Sequence, residues 1–289
     1  MNQQKYRELL DSLIEELYKQ GDKEILHFYE LQKQNRDELL NKIANVMLNY
    51  NISNDVLALT PGEIKKQYTQ VGNLIKEGIS NEVKQEQNSI NQLLLNVAKD
   101  RYYISSFAIS LGLDFKLKKV NSKVLEDIIN KKIDGLLYSD RIWNNKNEIS
   151  KLLRKDIKDF LEGKISVNEI SKIIKQRFNS NAYNTKRLVV NEVARVQEAA
   201  NTYWMNENDI EWVLRSETLD MKTCKHCADE DGKVYPLKDR PYEKGHVMCR
   251  GTWIAIPNKD WRPKKRMNNI TKERVPYESY NEWKNKNDL

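Results

Sequence analysis

The sequence predicts a mainly α-helical protein: an elongated multi-helix region, then a small zinc-stapled β module, then an extended C-terminal arm. Three observations predict it. Apolar residues recur at steps of three and four over most of the first two hundred positions. Short β-prone runs appear only after Asn208. All three cysteines and two of the three histidines fall between residues 223 and 251.

A chain of 289 residues exceeds the roughly 100–200 of a typical domain, so one large or two modest domains are expected. With 39% hydrophobic and 31% charged residues, its core should be elongated or divided. The stripe Tyr6, Leu10, Leu13 and Leu17 and the stripe Leu39, Ile43, Val46 and Tyr50 each mark one apolar helical face. Breaks are predicted at Gly21-Asp22, over Asn51 to Asn54, at Thr60-Pro61-Gly62 as an N-cap with proline in the first turn, and at Gly112. Helices follow over Lys123 to Tyr138, Glu148 to Leu161 with Gly163 beyond, Val167 to Phe178, and 184–208. After them, IEWVLRSET, GKVYPL and GTWIAIP read as strands bounded by turn residues. The expected division is therefore a helical region over 1–208, a β module over 209–257, and a basic extended arm over 258–289.

The formal net charge of +7 favours nucleic acid or an acidic protein surface as partner, although a lysine-rich helical protein carries the same balance. The opening MNQQKYRELLDSLIEELYKQ has no apolar stretch behind a basic start, and no run of about 18 apolar residues occurs, so neither signal-peptide secretion nor membrane contact is expected. An odd cysteine count without an export signal points to reduced thiols.

The cysteines are spaced for a metal. Cys224-x2-Cys227, eighteen intervening residues, and His246-x2-Cys249 form the two paired knuckles of a tetrahedral zinc site. Asp231-Gly232 suits a tight turn between them, with Lys233 to Leu237 as the returning strand. Three unrelated buried cysteines are the plainer alternative, but every cysteine of the chain falls on the paired spacing. A redox Cys-x-x-Cys normally opens a helix after a strand, and leaves His246 and Cys249 unexplained. Four ligands close the coordination shell, which argues for structural Zn²⁺ rather than catalysis. Asp229, Glu230, Asp231 or His226 could still act as a base, which keeps a zinc-dependent nuclease or DNA-processing enzyme as the alternative.

The segment 184–208 is the most periodic helix. Val189, Val193, Val196, Ala200 and Tyr203 line one face, while Arg187, Asn191, Arg195, Glu198 and Thr202 line another, with Glu192 and Arg195 placed for an ion pair. It is expected to pack on the zinc module.

This helix, RLVVNEVARVQEAANTYW, followed by LRSETLDMKTCKHCADEDGKVYPL and KGHVMCRGTWIAI, resembles the phage head morphogenesis family, minor head proteins related to the F protein of phage Mu. The resemblance covers about residues 180 to 256 and rests on Glu192 to Arg195, Asp220, Thr223, the Cys224 and Cys227 pair, Asp231 to Lys233, and His246 with Cys249 and Arg250. Val247 stands where the family commonly has proline, and Asn191 where it often has threonine. The resemblance implies a non-enzymatic minor capsid protein of a tailed phage or prophage, acting in head morphogenesis at the portal vertex. Its expected partners are the portal protein, the major capsid or scaffolding protein, and packaged double-stranded DNA bound without sequence preference. Its expected location is the virion, in the capsid interior or at the portal vertex, and the host cytoplasm during assembly. Arg250, Arg262, Lys264, Lys265 and Arg266 are the expected contacts to phosphates or an acidic partner.

Overall fold

Helix-forming periodicity without interior proline gives long helices, and a computed structural model shows them. It describes residues 3–110, 119–241, 246 and 248–287, with side chains from residue 13 onward except 107–110. Among these residues α1 spans Gln3–Asn49, α2 Pro61–Ser110, α3 Ser122–Ile129, α4 Tyr138–Leu161 and α5 Ile170–Glu207. Between α1 and α2, β1 (Ile52–Ser53) and β2 (Val56–Leu57) pair through Asn54 and Asp55, whose φ angles of 53° and 62° suit a two-residue hairpin turn. After α5 come β3 (Trp212–Ser216), α6 (Lys225–Glu230), β4 (Val234–Pro236), β5 (Thr252–Ile256), β6 (Lys265–Met267), β7 (Arg274–Pro276) and α7 (Tyr280–Lys286). The protein is mainly helical with small antiparallel sheets in its C-terminal part.

Helix starts follow the local chemistry. Thr60 and Glu63 form a reciprocal cap, Thr60 N donating to Glu63 Oε2 at 2.8 Å and Glu63 N to Thr60 Oγ1 at 3.4 Å. Gly163, at φ 71°, follows the end of α4. Other boundaries differ from expectation. Gly21 does not break α1, because Leu17 and Ile25 on either side are buried on the same stripe, and that packing outweighs about 1 kcal/mol of glycine propensity. The helix expected over Lys123 to Tyr138 ends at Ile129, Asp134 and Gly135 turn the chain at φ 51° and 80°, and α4 starts ten residues before Glu148. The two helices expected over Val167 to Phe178 and 184–208 are one, α5, since no glycine or proline separates them. The break at Gly112, and the side chains of Tyr6 and Leu10, lie outside the described residues.

The chain divides into two compact units, and not at residue 209. One comprises Met1–Gly21, Leu93–Lys131 and Val190–Leu289; the other comprises Asp22–Gln92 and Lys132–Val189. The long helices are the reason, because α1, α2 and α5 each contribute a stretch to both.

In the first unit the sheet order is β4-β3-β5. Leu214, Ile254, Ile256 and Trp261 pack with Ile14 of α1, and Val213 and Trp253 pack with Tyr102, Trp204 and Met205. The segment expected as an extended arm folds instead: β6 pairs β7, and α7 buries Tyr280 and Trp283 against Leu219 and Ala228. Two aromatic rings and a capping box at Ser279 and Glu282 supply what an extended arm lacks.

In the second unit Ile43, Val71, Ile75, Leu153, Ile157, Phe160 and Ile174 are among the core residues. A charged layer crosses it. Lys146 Nζ, buried, lies 2.7 Å from Glu82 Oε2 and 2.5 Å from Glu86 Oε1. Asn35 and Asn181 donate to Glu82 at 2.6 and 3.0 Å, and Gln32 donates to Glu86 at 3.1 Å. No described helix is long and apolar enough to cross a membrane.

Candidate metal centre

β3 and β5 bring the two halves of the cysteine cluster together. Their antiparallel register pairs Ser216 with Thr252, so the strand that leads to Glu217 runs beside the one that follows Cys249, Arg250 and Gly251. The first pair sits at a helix start. Cys224 is the N-cap of α6 and Cys227 lies in its first turn, with Ala228 N donating to Cys224 O at 2.9 Å. The helix ends at Glu230, and Gly232 at φ 82° makes the bend into β4.

The second pair is a tight turn closed by Cys249 N donating to His246 O at 3.0 Å. Within it Met248 stands at φ 64°, a conformation that costs a side-chain-bearing residue of order 1–3 kcal/mol. Asn191 of α5 holds it there, its Oδ1 accepting from Met248 N at 2.7 Å. The same helix meets β5, where Asn201 Nδ2 donates to Trp253 O at 2.9 Å. Glu192 and Arg195 pair at 2.7 Å, and the guanidinium also donates to the carbonyls of Ile128 and Ile129 at the end of α3. Arg250 pairs with Asp220, which accepts from Lys222 N at 2.8 Å and so shapes the approach to Cys224.

The donor atoms converge. His246 Nε2 lies 3.1 Å from Cys224 Sγ and 2.9 Å from Cys227 Sγ, and Cys227 Sγ lies 3.7 Å from Cys249 Sγ. Bonds of about 2.3 Å at tetrahedral angles put two sulfurs about 3.8 Å apart, so the last separation suits one shared ion. Cys224, Cys227, His246 and Cys249 thus form a cluster that could hold a metal ion. Cys227 belongs to two triads whose donor atoms lie within 4.8 Å of one another: Cys224, Cys227 and His246 on one side, and Glu217, Cys227 and Cys249 on the other.

The electrostatics of the second triad are pronounced. The contact with the Cys227 sulfur holds the Cys249 thiol down to about 5 against the effect of burial, helped by Gly251 N–H and Arg215. The same contact, with burial, pushes Cys227 above its ordinary value. Burial pushes Glu217 up to about 8 despite Arg215, whose Nε lies 2.7 Å from its Oε1.

Asp231 is not a turn residue alone. It is buried and takes a bidentate contact from Arg266, at 2.5 and 3.0 Å, together with the backbone N–H groups of Glu217 and Tyr280, each at 2.7 Å. Arg266, 2% exposed, therefore cannot serve the phosphate contact expected of it; a guanidinium stripped of water was matched to a carboxylate instead. Arg262, Lys264 and Lys265 are exposed. Of the other candidate bases, Glu230 binds Lys233 and Tyr235, while His226 and Asp229 are exposed. Val247 lies outside the described residues. Sequence reasoning missed Glu217 and Arg215, because one carboxylate and one guanidinium in a strand follow no ligand spacing.

Compared with protein-family models, curated proteins and solved structures, the chain matches none.

Proposed function

We propose that the chain is a minor capsid protein of a tailed phage or prophage, acting by binding rather than catalysis in head morphogenesis at the portal vertex, with Zn²⁺ as the ion of its cysteine cluster. The observation that carries the reading is the meeting, in one place, of motif residues spread over sixty positions. Asn191 beside Glu192 holds the turn of His246 and Cys249, Asp220 pairs with Arg250, and Cys224 and Cys227 face that turn. Three sulfurs and an imidazole are a donor set that suits zinc. A divalent cation there would draw the remaining proton from Cys227 and Cys249 and join α6 to β5. A small sheet with little core of its own gains most from such a tie.

The partners would be the portal protein, the major capsid or scaffolding protein, and double-stranded DNA, and the location the virion and, during assembly, the host cytoplasm. Exposed Arg262, Lys264 and Lys265 are the residues offered to phosphates, without Arg266. The test is density for this chain inside purified particles, together with elemental analysis of the reduced, full-length protein. One zinc per chain and a place at the portal vertex are expected. Metal-dependent DNA cleavage that vanishes on Asp229→Ala in a folded chain would overturn the assembly reading in favour of a nuclease.

A further inference from the structure

The two triads around Cys227 differ in exposure. His246 is exposed and Cys224 half-buried, whereas the Glu217 side chain is 3% exposed. A carboxylate that deep needs a counter-charge. Arg215 gives one, reaching Oε1 from Nε at 2.7 Å and from Nη2 at 2.6 Å, and its Nη2 also lies 3.7 Å from Cys249 Sγ. Gly251 fixes where the carboxylate lies. A Cβ at that position would stand 2.1 Å from Oε1 and 2.3 Å from Oε2, so only glycine admits the approach of Glu217 to the backbone following Cys249. The pocket thus presses a carboxylate against the inner side of the cluster, within 4.8 Å of two sulfurs.

We propose that Glu217 is an alternative donor to the metal, resting on the reading of the cluster as a zinc centre. A carboxylate oxygen of Glu217 takes the position of His246 when that exposed imidazole is withdrawn, so the ion keeps Cys224, Cys227 and Cys249 and exchanges only its fourth partner. Contact with a partner at His246 could then remodel the turn without releasing the ion.

The experiment is a double-mutant cycle on the full chain, reading affinity for Co²⁺ directly and for Zn²⁺ by competition. Glutamine at 217 keeps an oxygen for Arg215 but is a far weaker donor. Single losses of about tenfold are expected for His246→Ala and for Glu217→Gln, the scale seen when one supporting group is removed. The double variant should lose about a hundredfold beyond the product of the two, since no fourth donor remains. Multiplicative effects overturn the proposal and leave Glu217 as a partner of Arg215 only. Failure of the unaltered chain to bind either metal is a separate result, which overturns the zinc reading itself. Where Glu217→Gln does not fold, Gly251→Ala takes its place in the cycle, because the added methyl forces the same carboxylate off the turn.

Discussion

The two units solve the problem of buried charge in opposite ways. In the first, Cys224, Cys227, His246 and Cys249 gather donors that could hold an ion from outside the chain. In the second, Glu82 and Glu86 gather around Lys146, a cation the chain supplies. The difference teaches where each unit is vulnerable. On the proposed reading the first centre, completed from solution, answers to metal supply, whereas a layer completed from within answers only to mutation and protons.

The largest effect should come from breaking the first solution. Cys249→Ser, or a strong chelator, removes a tie worth up to about 10–16 kcal/mol by analogy with zinc-finger peptides. Hydrogen exchange should then accelerate across β3, β5 and α6 while α4 keeps its protection; equal loss in both units would break the comparison. Next, Lys146→Ala leaves two carboxylates buried without their cation, and should cost about 3–5 kcal/mol in denaturant unfolding. Replacing Lys146, Glu82 and Glu86 together by apolar residues of similar volume should restore that loss or exceed it, which would separate the cost of burying charge from the value of pairing it.

A smaller effect sharpens the contrast through pH. Burial holds the Glu86 carboxyl above its ordinary value, against the pull of Lys146. A raised value means the folded chain favours the protonated form, so this stability is fully present below the ordinary value of 4.5 and is lost as pH rises through the folded value. Glu86→Gln should flatten that slope, measured as melting temperature against pH. The smallest is Asn191→Ala, which removes the acceptor of Met248 N and should cost about 1–3 kcal/mol, with weaker metal binding as its companion readout.

The first solution was legible in the sequence and the second was not, for a physical reason. Cysteine is scarce and its paired spacing has few other causes, so Cys224, Cys227 and Cys249 announce themselves. Lysine, glutamate and asparagine are common on helix surfaces. Yet the signal was there, for Lys146 stands on the buried stripe of Ile142, Ile149 and Leu153, Glu82 and Glu86 on that of Ile75, Ile79 and Ile90, and Asn181 and Thr185 on that of Ile174, Phe178 and Leu188. Polar residues on the apolar stripes of several helices mark one layer. Strands β3, β4 and β5 were readable from β-prone runs, as was the cap at Thr60, because their causes are local. The passage of α1 through Gly21, the folding of residues 265–286 and the burial of Arg266 have distant causes, which no window of neighbouring residues contains.

The hub at Asp231 also orders events in time. A ribosome releases the acidic side chain well before Arg266 leaves its exit, and Tyr280 N, the other distant donor, leaves later still. Until then the carboxylate keeps its water and α6 lacks the clasp that seats it. The seating of α6 therefore waits on donors that lie 35 and 49 positions further along the chain than the carboxylate they clasp.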